Sequence, residues 1–230
     1  MKQQVALTRQ ALKTPRAAAV AGIIFAVLFT ISIVLMRLAL PEELSGTNTA
    51  AWLQGNTTTI TLALVPFAGI AFLWFMGVVR DRLGTLEDQF FATVFFGSGL
   101  LFLAMMFASA AIAGGILESY ALAADTLTKS GVITFGRAMM YTITNVYAVR
   151  MAGVFMISLG TIWIRTRVMP RVFVFLTYAL ALLLLVSSNL TLWLILIFPA
   201  WVFVISMFIL IVSLRGEQAQ AEGVFGSNES

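Results

Sequence analysis

The longest uncharged stretch of the chain restricts its fold more than any other feature. No charged residue occurs from Val172 to Leu214, a run that would be about 65 Å long as a single α-helix. The hydrocarbon core of a bilayer is about 30 Å thick, and about 20 apolar residues cross it as a helix. The run therefore predicts two membrane-crossing helices, with their turn at the polar cluster Ser187-Ser188-Asn189.

Four further apolar runs extend the same prediction to the whole chain. The sequence is 60% hydrophobic and 10% charged, whereas soluble proteins carry about 25% charged residues. We expect an all-α polytopic membrane protein: a basic segment at 1–16, one membrane domain at 17–215, and a polar tail at 216–230 that is predicted to be disordered. The six transmembrane helices are predicted at 17–40, 58–79, 90–117, 138–164, 172–187 and 190–214.

Basic residues predict the orientation of these helices. With six spans, ten of the 14 Lys and Arg residues fall on the side that holds both termini and the 80–89 and 165–171 loops. Cytoplasmic loops carry an excess of Lys and Arg, so both termini are predicted to be cytoplasmic in a cell membrane (plasma or inner). The outer loop 117–136 shows helical apolar spacing, which predicts either a short helix on the membrane surface or a continuation of the third span.

The composition also excludes several functions. The chain contains neither His nor Cys, which removes imidazole and thiol catalysis, disulfides, and most zinc, copper and haem sites. None of the ten Asp and Glu residues lies inside an apolar run, where proton- or sodium-coupled carriers usually place one. We therefore expect no enzymatic activity, no metal and no cofactor. The net charge of +4 is explained by topology, so no nucleic-acid partner is predicted.

Arg150 lies near the midpoint of the fourth predicted span. An intramembrane arginine costs at least about 2.5–3.5 kcal/mol by insertion scales, and it typically faces protein, water or a ligand. Polar side chains precede it on the same helix, and Arg37 ends the first span near the outer interface. These residues predict a polar path for an anion or an anionic lipid: Arg150, Tyr147, Asn145, Thr144, Tyr141 and Arg37.

A structural interpretation of the same residues stays open. Arg150 could snorkel, or pair with backbone carbonyls or with an acidic residue, of which Glu118 and Asp125 are nearest in depth. Arg37 could serve only as an interfacial anchor.

Small residues and prolines complete the candidate positions. A small-residue stripe in the third span predicts a helix–helix seam, inside the bundle or between subunits: Gly97, Gly99, Ala104, Ala108, Ala111 and Gly115. Pro66 and Pro199 lie within the second and sixth spans. Each is interpreted either as a hinge or as a kink of the kind that membrane helices tolerate.

Three classes of function remain. The first is a small permeation or transport protein, channel-like and anion-favouring, that associates as a homo-oligomer. The second is a non-catalytic subunit of a membrane complex, or a receptor-like partner, in which Arg150 forms a structural salt bridge. The third, a lipid-acting enzyme, ranks last because the chain lacks the usual acid–base and metal-binding side chains at membrane depth.

Overall fold

The structure is a computed structural model of the 230-residue chain. It describes residues 2–39, 56–83, 89–167, 169–186 and 193–226, with side chains described for 16–36, 59–80, 90–123, 126–127, 130–167, 169–186 and 193–215. The helices are α1 (Lys2–Ala39), α2 (Asn56–Leu83), α3 (Gln89–Lys129), α4 (Val132–Thr142), α5 (Val149–Thr166), α6 (Arg171–Val186) and α7 (Ile197–Gly226). A π-helical segment, Ile143–Ala148, joins α4 and α5 into one continuous helix, and a 3-10 turn, Leu194–Leu196, precedes α7.

Five of these helices are long and apolar enough to cross a membrane: α1, α2, α3, the continuous α4–α5 helix and α7. The sixth, α6, is apolar but has only 16 residues. At 1.5 Å per residue it is about 24 Å long, which is less than the thickness of the hydrocarbon core. The predicted all-α fold is confirmed over the described residues, with five helices long and apolar enough to cross a membrane. The expected turn at Ser187-Ser188-Asn189 lies outside the described residues.

Three helices extend more than ten residues beyond the predicted spans. α1 begins at Lys2 and includes the basic segment. α3 continues to Lys129 across a kink at Ala123, where φ is −154° and ψ is 64°. Of the two structures predicted for the loop at 117–136, the structure therefore has the continuation of the third helix. α7 runs on to Gly226, through most of the tail for which polar composition predicts disorder. The Glu, Gln and Ala residues of 217–222 are good helix formers, and they propagate a helix that has already been nucleated.

The centre of the bundle is filled by aromatic rings. Phe25, Phe72, Phe102, Phe155 and Phe198 come from α1, α2, α3, α5 and α7, and each is 0–1% exposed. We call these five side chains the phenylalanine layer. Ring centroids are 4.6 Å apart between Phe25 and Phe72 and 4.7 Å apart between Phe102 and Phe198. Each such pair contributes about 0.5–1.5 kcal/mol beyond area burial, so the layer ties all five crossing-length helices together.

Helix α1 approaches α2 and α7 closely at Gly22. A Cβ added there would collide with the Ser206 hydroxyl and would lie 2.9 Å from a ring carbon of Phe75. The missing side chain at Gly22 therefore sets the distance between α1 and α7. Gly77, on the exposed side of α2, has no atom within 4 Å of the same position.

We expect Gly22→Ala to lower the thermal unfolding midpoint of the protein in detergent. Overpacking of this kind typically costs about 1–3 kcal/mol. The matched variant Gly77→Ala should leave the midpoint unchanged or raise it, because Ala favours helix over Gly by up to about 1 kcal/mol. Equal shifts in the two variants would contradict the close approach of α1 and α7.

Candidate functional site

The continuous α4–α5 helix changes its hydrogen-bonding pattern at the predicted polar path. The π-helical segment Ile143–Ala148 contains Thr144, Asn145 and Tyr147. Short π-helical turns inside α-helices occur frequently at functional sites, because they insert a residue and re-aim the side chains around it. The distortion therefore coincides with the residues that the sequence singled out.

Two of these side chains are buried, and one of them forms a polar contact with α3. Thr144 is 7% exposed, and its hydroxyl donates to the hydroxyl of Ser109, which is 6% exposed, at 2.9 Å. Asn145 is also buried, and its side-chain amide donates to the carbonyl of Tyr141 at 3.2 Å. Ser109 was not among the predicted site residues. In the sequence, Ser109 lies between two alanines, and no motif marks it as a site residue. Its hydrogen bond to Thr144 identifies it.

The predicted tyrosines face the other way. Tyr141 is 39% exposed and Tyr147 is 53% exposed, so neither side chain belongs to the buried contact. The side chain of Arg37 lies outside the described residues. The structure thus brings Thr144 together with Ser109, buries Asn145 beside Thr144 on the same helix, and leaves both tyrosine side chains exposed.

Arg150 is half-buried at the start of α5. Gly153 packs against Ala181 and Leu185 of α6, with an added Cβ at 3.1 Å from the Ala181 carbonyl oxygen. Arg150 lies one turn further out, which places it about level with Val186, the last residue of α6. Within the described part of the chain, Arg150 has no hydrogen bond, ion pair or cation–π contact.

An arginine inside the membrane costs at least about 2.5–3.5 kcal/mol. Within the described residues, no side chain contacts Arg150 in a way that offsets this cost.

Glu118 is not placed to compensate the charge of Arg150. Ser109 bonds to Thr144, and an added Cβ at Gly136 would meet Ile116, so α3 and the α4–α5 helix run antiparallel in a fixed register. Arg150 is level with about residue 103 of α3, and the exposed Glu118 lies about 22 Å further out along that helix. Asp125, whose side chain is outside the described residues, follows later on the same helix.

Aromatic packing fills the bundle on the side of this polar region that faces the C-terminal end of α5. Phe155 of the phenylalanine layer follows Arg150 by little more than one turn of α5. Gly99 lies against Phe155, with an added Cβ at 3.1 Å from its ring. Further in, the indole of Trp201 donates to Thr177 at 2.9 Å. The polar residues of the site therefore lie on one side of a continuous aromatic layer.

The small-residue stripe divides between the interior and the surface of the bundle. Gly99 is buried, whereas Gly97 has no atom within 4 Å of an added Cβ. The remaining members lie on the exposed face of α3: Ala104, Ala108, Ala111 and Gly115. Most of the stripe therefore does not form a seam within the bundle, and the intersubunit alternative stays open.

The two prolines do not separate helical segments. Pro66 lies inside α2, which is continuous from Asn56 to Leu83. Pro199 is the third residue of α7, and the first turn of a helix tolerates proline because its N–H groups have no intrahelical acceptor. The change of backbone hydrogen bonding occurs instead in the π-helical segment.

A second arginine on the same helix was missed as a site residue. Arg137 of α4 is half-buried, and its Nη1 atom is buried without a hydrogen-bond partner within the described residues. In the sequence, Arg137 is only one of the four basic residues that do not fall on the side of the two termini. The count of basic residues does not predict the rotation of the helix, which decides whether the side chain is buried.

No family model, curated protein or solved structure matches this chain. Within the described residues, no group of three or more carboxylate, His or Cys residues is placed to hold a metal ion.

We expect Ser109→Ala and Thr144→Val to be coupled in a double-mutant cycle. Hydrogen bonds between membrane helices contribute about 0.6 kcal/mol on average and up to about 1.7 kcal/mol, so a coupling energy of this size is predicted from unfolding in detergent. Thr142→Val, at an exposed position on the same helix, should show no coupling to Ser109→Ala. Additive effects of the two buried substitutions would contradict the contact.

Proposed function

We propose that the chain is a small multi-pass membrane transport protein, channel-like and anion-favouring, whose polar path includes Arg150. The observation that carries this proposal is a half-buried guanidinium in an apolar helix that has no partner in the described part of the chain. Intramembrane charges are expensive and typically mark ligand or ion paths. A fixed positive charge in such a path favours anions and repels cations.

The polar lining of the proposed path comes from the π-helical segment and α3. Hydroxyl and amide dipoles at Thr144, Ser109 and Asn145 are buried at the outer side of the phenylalanine layer. Tyr141 and Tyr147, which are exposed in a single protomer, contribute only if the path runs along the outside of the helix or between subunits.

The phenylalanine layer is the proposed closed gate. Hydrophobic constrictions block ions by excluding water, even where no charge opposes them. The five rings lie between Arg150 and the inner ends of the helices, so an anion at Arg150 must displace them to cross within one protomer.

The proposal includes the topology that the basic residues predict. The six helices cross or enter the cell membrane with both termini on the cytoplasmic side, and α6 and α7 form a hairpin that enters from that side. Over Arg171–Val186, α6 is about 24 Å long, which is less than the thickness of the hydrocarbon core. Arg150 lies about level with Val186, the last described residue of this helix.

A non-catalytic subunit of a membrane complex is the second candidate. The exposed stripe Ala104, Ala108, Ala111 and Gly115 on α3 favours it, because small residues allow membrane helices of different chains to approach closely. A homo-oligomer satisfies both candidates if the path lies between copies. Neither candidate requires catalysis, and we do not propose an enzyme.

We expect Arg150→Gln to reduce anion flux through the purified protein in liposomes by about tenfold, the change expected for a loss of about 1.4 kcal/mol. Chloride and nitrate are the test anions, and potassium is the test cation. Arg80→Gln is the matched control, since Arg80 is exposed at the inner end of α2 and its guanidinium lies 5.0 Å from the ring centroid of Phe96.

The result separates the two candidates. Selective loss of flux with normal folding supports transport. Loss of assembly or of folded yield in Arg150→Gln, with no flux in the wild type, supports the subunit candidate. Unchanged yield, assembly and flux would contradict both accounts of Arg150.

We expect Phe198→Ala to increase the same flux, because it removes the ring that touches four other members of the phenylalanine layer. Large-to-small changes at buried phenylalanines cost about 3–5 kcal/mol, so folding is checked by size-exclusion chromatography. Phe175→Ala, at a position that is 66% exposed, is the control and should leave flux unchanged. A well-folded Phe198→Ala with unchanged flux would contradict the gate.

A further inference from the structure

Arg137 carries a buried charged N–H group that the described residues do not satisfy. The side chain is half-buried, and its Nη1 atom is buried without a hydrogen-bond partner. Buried donors are almost always paired, and an unpaired one on an ionised group is costlier than one on a neutral group. The exception indicates an acceptor that does not belong to the described part of this chain.

The surroundings explain why the guanidinium is held in this position. The neighbouring Gly136 packs against α3. A Cβ added at Gly136 would lie 2.6 Å from Cδ1 and 3.2 Å from Cγ1 of Ile116. Ile133 and Met140, which flank Arg137 on the same helix, are buried in the same apolar cluster as Ile116. Arg137 is therefore anchored beside a packed apolar contact, with its fork of donors only partly accessible.

An acidic residue is close in register but does not pair with this arginine. Glu118 follows Ile116 by two residues on α3, so it lies within one turn of the level of Arg137. Glu118 is nevertheless exposed, and within the described ranges Arg137 forms no ion pair. Within the part of the chain that the structure describes, therefore, no salt bridge holds the guanidinium in place.

The chemistry of the side chain selects the class of ligand. A guanidinium presents a planar fork of N–H donors that matches the oxygens of a phosphate or carboxylate in two parallel hydrogen bonds. Near the outer end of a transmembrane helix, two sources supply such oxygens: a free phosphate-type anion and the phosphate group of an anionic phospholipid. Both present the same oxygens to Arg137.

We propose that Arg137 is a binding site for a phosphate group at the outer end of α4. This deepens the proposed function and rests on it for one step: Arg137 receives the anionic ligand before it reaches Arg150, about 20 Å further along the same continuous helix. The site needs the guanidinium fork as well as its charge, which separates it from general electrostatic attraction.

The test is isothermal titration calorimetry on the full-length protein in a neutral detergent. One arm uses inorganic phosphate, with sodium chloride at matched ionic strength as the control titration. The other arm uses a short-chain phosphatidylglycerol, with the matching phosphatidylcholine as its control. We expect saturable binding in at least one arm, at least about tenfold weaker in Arg137→Gln, a change of about 1.4 kcal/mol.

Two further variants make the test specific. Arg137→Lys keeps the charge but removes the fork, and we expect it to bind as weakly as Arg137→Gln. It also serves as the folded variant if Arg137→Gln is unstable. Glu118→Gln changes an exposed charge at the same level of the bundle and should bind like the wild type.

Each outcome decides the proposal. Binding of inorganic phosphate identifies a free anion as ligand, and binding of phosphatidylglycerol alone identifies a lipid. Absence of saturable binding in both arms, or wild-type binding in Arg137→Lys, would overturn the site. Binding that is lost in Arg137→Lys in a protein without flux would keep the site and reject transport, whereas anion flux without binding would reject the site alone.

Discussion

Helices inside a bilayer cannot associate through the hydrophobic effect, because lipid tails are as apolar as leucine. The bundle depends instead on shape-matched packing, and the phenylalanine layer supplies it. Phe72 of α2 contacts Phe25, Phe102, Phe155 and Phe198, one ring from each of the other crossing-length helices. Close approach at Gly22 and Gly99 allows these rings to meet. The same packing that holds the helices together closes the axis of the bundle, so stability and a central pore are in direct conflict here.

The absence of water inside a bilayer also explains why several buried hydroxyl groups carry no functional information: each is hydrogen-bonded within its own helix. Several hydroxyls bond to carbonyls one turn earlier on their own helix, as Ser32 does to Leu28, Ser98 to Val94 and Ser158 to Val154. Such groups are satisfied locally and need no ligand. A guanidinium group carries a full charge and five N–H donors, so one carbonyl of its own helix does not satisfy it. Arg137 and Arg150 are therefore informative because, within the described chain, neither is satisfied by its own helix or by an acidic neighbour.

Apolar length was sufficient to predict the helices, because a membrane requires only an uninterrupted run of about 20 apolar residues. Side-chain direction was not predictable to the same degree. The π-helical segment inserts a residue and rotates everything beyond it, so Thr144 and Asn145 turn inward while Tyr147 turns outward. Rotation of α3 likewise exposes Ala104, Ala108 and Ala111. The length of α6 and the partial burial of Arg137 depend on contacts between helices. Such contacts cannot be predicted from the apolar pattern of a single sequence.

Basic residues occupy three depths along the continuous α4–α5 helix. Arg137 lies near its N-terminal end, Arg150 lies on the same side of the phenylalanine layer as Arg137, and Arg165 lies at its C-terminal end, with its guanidinium 4.8 Å from the ring centroid of Phe91. The layer separates the last two positions, so under the proposed function an anion would meet positive charge on both sides of one aromatic barrier. Neither Pro66 nor Pro199 interrupts its helix. Opening of the proposed gate would therefore depend on the π-helical segment rather than on a proline hinge. A π-helical turn can shift along a helix by exchanging carbonyl partners, which would rotate Phe155 and Arg150 together.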